Sequence, residues 1–569
     1  MFKKPKSDEI QRMLLACRSY FITAALFSLA INLLYLASPL YMLQVYDRVI
    51  SSASHLTLVM LTIALLVAFV ALAGLDAVRA RILTRASVRL DRLMAPRIMT
   101  ATVERAQESG ARSQFLRDFD TFRQFITGHG IHAIFDLPWT PIYIGVIVML
   151  HPLLGAFAFG CAIILVCMAL VNEWLVRGPL GEANEASTRN YGFTEMSLRN
   201  TEVIRALGMT DGLLRRWSRD RYRMLERQVA ASDRAAVIQS IIRFLRLSMQ
   251  SLILGLGAYL VIERSVTVGA MFAASLLLGR ALQPVEQIVG SWRNLVSARS
   301  AFHRVRELLT SHPPQDARLS LPRPSGKMQV DNLTCIVSGV TRPILRGVTF
   351  KIEPGDVLGV IGPSGSGKST LARHMVGVLT PYAGSVRLDG ADVCQWPSGS
   401  RGQHVGYLPQ NIELFADTVA NNISRFQAGD DEEIIKAAQL AGLHDLILQL
   451  PNGYETHVGE GGAVLSGGFR QRIALARAVY GSPSIVVLDE PNSNLDADGD
   501  AALAECILRL KSRGTSIVMI SHRPSALNVV DKLLVIREGV VELFGPRSDV
   551  LQRLTRSVQT ASVPAAVSS

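Results

Sequence analysis

The sequence predicts two folds in one chain: an all-α polytopic membrane domain of about six transmembrane helices, followed by an α/β domain built around a phosphate-binding loop. Three observations predict it. Hydrophobic residues make up 49% of the 569 and charged residues only 19%, with a mean hydropathy of +0.27, too apolar for a chain of this length in water alone. Apolar runs long enough to cross a bilayer are confined to the first 290 residues. After them a strand-like run, DVLGVIG (356–362), enters GPSGSGKST, a full match to G-x-x-x-x-G-K-[ST].

The first 19 residues are basic but lack an apolar core with a small-residue cleavage site, so they read as a retained cytoplasmic segment. The membrane domain then occupies 20–310, with spans expected near 20–45, 56–78, 136–151, 154–176, 236–262 and 268–290. Basic residues alternate between the connections. The links at 51–55 and 151–153 carry no Lys or Arg, whereas 79–123 holds Arg79, Arg81, Arg85, Arg89, Arg92 and Arg97, and 177–234 is similarly rich. Both large loops and both termini therefore belong in the cytoplasm. Apolar residues recur at helical spacing within those loops, so long helices leaving the bilayer are expected. The formal charge of +12 sits mainly between apolar runs, which favours membrane topology over a nucleic-acid surface. Six scattered cysteines show neither C-x-x-C nor zinc-ligand spacing.

Polar features at the span ends have structural readings. Asp47 and Arg48 read as a charge pair reaching for the interface, with a gate on a transport pathway as the alternative. The two prolines of DLPWTP (136–141) start or kink a helix. The small residues of LILGLGAYL pack helices together.

A Pro- and Ser-rich stretch, 311–327, reads as a linker to the soluble domain at 328–548, with a tail at 549–569. In the phosphate loop, Gly362, Gly365 and Gly367 let the backbone curl so that its N–H groups, with Pro363, Ser364, Ser366 and Thr370, surround phosphate oxygens. Lys368 reaches the β- and γ-phosphates and the Ser369 hydroxyl faces Mg²⁺. A second apolar strand, SIVVLDE (484–490), ends in Asp489, placed to hold the metal, and Glu490, placed to polarise a water. Gln410 follows another strand and is a candidate metal or water contact, while His522, after SIVMIS, is placed to bond the γ-phosphate. The run LSGGFRQR (465–472) opens a further helix with Ser466, Gly467 and Gly468, a second anion site in one chain.

In order, GPSGSGKST, YLPQ, LSGGFRQR, VVLDE, SNLD and ISH resemble the phosphate loop, Q-loop, signature, Walker B, D-loop and switch histidine of an ABC-transporter ATPase. The resemblance implies ATP and Mg²⁺ as ligands, with Ser369, Gln410 and Asp489 toward the metal and Lys368, Glu490 and His522 in catalysis. It also explains the second anion site: ATPase domains of this family pair head to tail, so Ser466, Gly467 and Gly468 would close over ATP held by another copy. One membrane domain and one ATPase domain per chain imply a homodimer. Where the family stacks an aromatic residue on adenine, this sequence has Val337, which implies relaxed base selectivity or weaker ATP binding.

A membrane domain ahead of the ATPase is similar to ABC exporters. SPLYMLQVYDRVI, FDLPWTPIYI, GAMFAASLLLGRALQPVEQIVGSWRN and SARSAFHRVRELL resemble type I secretion permease/ATPases, particularly the protease/lipase exporter subfamily. That implies ATP-driven export of unfolded polypeptides carrying a C-terminal signal across the bacterial inner membrane. The partners implied are a periplasmic membrane fusion (adaptor) protein and an outer-membrane channel. The cysteine-protease domain of bacteriocin exporters, or its inactive copy in hemolysin-type exporters, has no room ahead of the first span. A lipid or drug exporter shares every ATPase motif and is the alternative. A soluble ABC protein is opposed by the apolar spans, and a non-hydrolysing regulator by the presence of Lys368, Asp489, Glu490 and His522.

Overall fold

The computed structural model describes residues 9–109, 114–313, 321–336, 342–427 and 430–561. The expected linker at 311–327 lies partly, and Val337 wholly, outside them. The chain forms two compact units, Met1–Pro313 and Pro314–Ser569.

Among the described residues of the first unit, six helical stretches are long and apolar enough to cross a membrane: Arg18–Ser52, His55–Arg105, Gln114–Leu150, Pro152–Val176, Thr210–Ile262 and Val268–Gly290. Each overlaps one of the apolar runs. The Arg-rich segments continue these helices: His55–Ser109, Pro152–Arg199 and Thr210–Ile262 run unbroken for 55, 48 and 53 residues. At 1.5 Å per residue, each is about 70–80 Å long, more than twice a hydrocarbon core. The last span is the most enclosed, with Ala273, Ala274, Leu277, Leu278, Ala281 and Leu282 buried. Small residues allow this closeness. A Cβ at Gly257, in LILGLGAYL, would meet Met271 Cγ at 2.6 Å.

Within the expected N-terminal segment, residues 9–16 form a helix. Helix Glu9–Ala16 buries Ile10 beside Cys17, Leu90, Met94, Ile98, Phe119 and Leu308.

Asp47 corrects the expected charge pair. Its carboxylate accepts from the Thr267 hydroxyl at 2.6 Å and from the Gly269 N–H at 2.8 Å, so it caps the last span rather than Arg48. The unpaired N–H groups and positive dipole end of a helix are a better partner for a carboxylate than a solvated neighbouring cation.

The prolines of DLPWTP stand in the first turns of a 3₁₀ segment, Leu137–Trp139, and of helix Thr140–Leu150. The aspartate ahead of them joins a polar cluster. Asp136 Oδ1 accepts from the Ser28 hydroxyl at 2.7 Å and from Asn32 Nδ2 at 2.8 Å, with Arg79 Nη1 at 3.4 Å. Tyr143 donates to the Asn32 side chain at 2.9 Å. Arg79 is buried, so removing it takes away the cation beside Asp136 and leaves that carboxylate, in a site water reaches poorly, to the neutral donors Ser28 and Asn32. Arg79→Ala is expected to cost about 3 kcal/mol, read as a lower thermal unfolding midpoint of the detergent-solubilised protein; an unchanged midpoint would show that the cluster does not hold these helices.

Among its described residues the second unit has ten strands: β1 Met328–Cys335, β2 Leu345–Ile352, β3 Val357–Ile361, β4 Ala383–Leu388, β5 Ala391–Asp392, β6 Val405–Leu408, β7 Ile485–Asp489, β8 Ser516–Ile520, β9 Lys532–Arg537 and β10 Val540–Pro546. One sheet has the order β10-β9-β3-β8-β7-β6, with β9, β3, β8, β7 and β6 parallel and β10 antiparallel at the edge. The other is antiparallel, β2-β1-β4-β5. The apolar runs VLGVI, IVVLD and SIVMI suit central parallel strands buried on both faces. β8 shows this directly: Ile517 and Met519 join the core against the helices, Val518 and Ile520 the core against the second sheet. The helix Arg547–Ala561 begins where a tail was expected and seats Val550 in the first of these cores.

Candidate functional site

The parallel strands deliver the predicted residues to one edge of the sheet. β3 ends just before Gly362, β6 just before Gln410, β7 at Asp489 and β8 just before His522. The carboxyl ends of adjacent parallel strands are where α/β sheets bind ligands.

The phosphate loop, Gly362–Gly367, leads into helix Lys368–Met375. Gly362 and Gly367 have φ of +154° and +97°, and a Cβ would strike the Ile536 carbonyl oxygen at 2.1 Å or Leu345 Cδ2 at 2.7 Å. Only glycine fits those two positions. Pro363 accepts from the Ser366 N–H at 3.3 Å, closing the turn past Ser364 and Gly365. Lys368 lies back over its own loop and donates from Nζ to the Gly362 and Pro363 carbonyls, each at 2.8 Å. Burial pushes its ammonium pKa down, and the Glu490 and Asp489 carboxylates oppose that. The lysine is thus a partly desolvated cation held by the neutral dipoles of its own loop. Thr370 sits in the first turn of the helix, its carbonyl 2.8 Å from His374 Nδ1.

Asp489 is buried, and its Oδ1 has no hydrogen-bond partner. Burial raises its carboxyl pKa, while a hydrogen bond from the Ser369 hydroxyl lowers it. The Ser366 hydroxyl is likewise buried without a partner. A buried orphan carboxylate oxygen beside a hydroxyl is a donor set suited to Mg²⁺, a hard cation that takes one or two carboxylates and leaves its other positions to water and phosphate. Gln410 shares a cavity of about 210 Å³ with Asp489, Arg373, Tyr407 and Asn411.

Glu490 has φ of +51°, a left-handed conformation uncommon outside glycine and associated with functional strain. Its N–H donates to the Ile520 carbonyl at 3.0 Å, and its Oε1 lies 3.3 Å from His522 Nε2. The two expected catalytic side chains therefore meet from neighbouring strand ends.

Ser466 caps the helix Gly467–Val479, its hydroxyl accepting from the Phe469 N–H at 3.3 Å. The near neighbour of both Gly467 and Gly468 is Asn494. The signature thus lies against the loop following β7.

Three residues at the site escaped sequence reasoning. Arg373, on the phosphate-loop helix, hydrogen-bonds Tyr407 and favours the ionised Asp489. Tyr407, whose pKa burial and the Asp489 carboxylate push up, walls the same cavity. Gln471, on the signature helix, is buried and bonded to the loop after Glu490. A signal for Gln471 was present: it falls in helical register with Ala474, Leu475 and Ala478, an amide on the core-facing stripe.

Two family models match the chain, one described as ABC transporter over residues 345–493 and one as ABC transporter transmembrane region over 21–285. Over 547 residues the chain is 42% identical to the type I secretion system ATP-binding protein PrsD of Rhizobium meliloti, covering 95% of this chain and 94% of that protein. It is 28% identical to the leukotoxin translocation ATP-binding protein LktB of Mannheimia haemolytica, covering 94% and 77%. Among solved structures, a bacterial Atm1-family ABC exporter with ATP bound has the same fold, with a TM-score of 0.83 at 22% identity, covering 96% of this chain and 100% of that one.

Proposed function

Because the chain belongs to the ABC transporter family, with a type I secretion ATP-binding protein among its relatives along almost its whole length, we propose that it is the ATP-driven export subunit of a type I secretion system. Its cargo is unfolded polypeptide with a C-terminal signal, of the protease, lipase or RTX-like kind. It sits in the bacterial inner membrane with the ATPase domain and both termini in the cytoplasm, and it works with a periplasmic adaptor and an outer-membrane channel. The observation that carries this reading is the assembled site, Lys368, Ser369 and Asp489 around the phosphate loop with Glu490 3.3 Å from His522, in a chain similar over 95% of its length to a secretion protein.

In this mechanism the loop N–H groups and Lys368 bind the phosphates, Lys368 exchanging two carbonyls for anionic oxygens. Ser369, Gln410 and Asp489 would hold Mg²⁺, which supplies charge neutralisation at the phosphates. Glu490 accepts the proton of the attacking water, and His522 holds the Glu490 carboxylate and the γ-phosphate in place. Two chains pair head to tail, Ser466, Gly467 and Gly468 of one lying on the nucleotide of the other. Closure over two ATP molecules switches the membrane helices between inward and outward access, and hydrolysis resets them.

The test compares proteins in the medium of cells carrying the wild-type chain with those of cells carrying Glu490→Gln at equal membrane abundance. Selective loss of one or a few proteins is expected and names the cargo. An unchanged set of secreted proteins would overturn polypeptide export in favour of a lipid or small-molecule exporter.

A further inference from the structure

Glu490 needs a reason to stay where it is. A left-handed non-glycine residue costs on the order of 1–3 kcal/mol and persists only where its surroundings hold it, and the proline that follows narrows its conformations further. Its N–H is held by the Ile520 carbonyl, at the end of the strand leading to His522. On the other side stands Gln471 of the signature helix. Its Nε2 donates to the Pro491 carbonyl at 2.7 Å and approaches the Glu490 carbonyl at 3.3 Å. Its Oε1 accepts from Asn494 Nδ2 at 3.1 Å and from the Ser493 hydroxyl at 3.4 Å. The Glu490 carbonyl has a second donor in the Ser493 N–H at 3.2 Å, so the Pro491 carbonyl depends most on Gln471. Pro491 is buried, and leaving its carbonyl without a donor costs enough to make the loop move.

We propose that Gln471 is a positioning residue for hydrolysis: its side-chain amide clamps the loop 490–494 so that the Glu490 carboxylate stays aimed at the attacking water, and it ties that aim to the signature helix of the same chain. The inference rests on the reading of Glu490 as the general base and of the signature as the element that touches the other copy's nucleotide. Asn494, which Gln471 holds, is also what packs against Gly467 and Gly468. A shift of the signature on the neighbouring nucleotide therefore reaches Glu490 through one amide, linking the two sites of a dimer.

The experiment uses the purified full-length chain in lipid, with Gln471→Ala and Gln471→Met. The methionine variant keeps the volume and removes both donor and acceptor, so the helix still packs. Steady-state ATP hydrolysis gives kcat and KM, and equilibrium binding of ATP in the absence of turnover gives Kd. Both variants are expected to lose about 10- to 100-fold in kcat, the scale of a misplacement near 1 Å, with Kd within about twofold of wild type. A merely structural role would reduce the folded fraction and leave kcat per folded molecule intact. Wild-type kcat in either folded variant, or a parallel loss of kcat and affinity, would overturn the proposal. Glu490→Gln in the same assay separates the two ideas. Normal hydrolysis there removes the general base itself, whereas an inactive Glu490→Gln beside fully active Gln471 variants removes only the clamp.

Discussion

Glu490→Gln is expected to bind ATP within about twofold of wild type and to hydrolyse it slower by about two to four orders of magnitude, the usual contribution of a positioned general base. The substitution is nearly isosteric. It leaves the left-handed backbone and the Ile520 contact in place, and the new amide still reaches His522. What it removes is the ability to accept a proton in the transition state, an effect confined to kcat. Phosphate release at saturating ATP, set beside equilibrium nucleotide binding, separates the two. Ordinary turnover by this variant would mean that another group takes the proton.

Lys368→Ala is expected to fail one step earlier, at binding. Two hydrogen bonds from an ammonium to phosphate oxygens contribute about 1.5–3 kcal/mol each. In the free protein, however, the same Nζ already donates to the Gly362 and Pro363 carbonyls at 2.8 Å, so binding exchanges partners instead of adding them. That places the net loss near the low end, about 3 kcal/mol, or roughly 100-fold in Kd. The two carbonyls released belong to half-buried Gly362 and exposed Pro363, both within reach of water, so the unfolding midpoint should scarcely move. Titration with a fluorescent ATP analogue, alongside a melting curve, checks both halves. ATP affinity equal to wild type would take Lys368 away from the phosphates.

The membrane spans and the phosphate loop were legible for a common reason: both are written in short stretches. A span is a run of apolar residues, and bilayer thickness sets its length. The loop at 362–370 is a spacing of glycines and one lysine that backbone geometry demands, and a strand must precede it and a helix follow. Even the helices leaving the membrane showed in the period of their apolar residues. Asp489, Glu490, Gln410 and His522 were legible as strand ends, because a buried parallel strand of four or five apolar residues must stop at the edge where ligands bind.

Asp47 and Asp136 were not legible in the same way. Each is an acidic residue at a span end, and local sequence offers it only a neighbour or the interface. The structure gives Asp47 a helix start 222 residues away and gives Asp136 a serine 108 residues away. Gln471 is the intermediate case: its core-facing register was visible, but its partners, the carbonyls after β7, were not.

The sequence by itself therefore determined the order of domains, the number of candidate spans and the backbone geometry of the phosphate loop, since these depend on period, composition and local conformation. Only the tertiary structure decided which buried polar groups pair. Hydrogen-bond partners are chosen by three-dimensional proximity under the heavy cost of leaving a buried donor or acceptor unmet, and no local pattern encodes a partner that distant packing brings into reach.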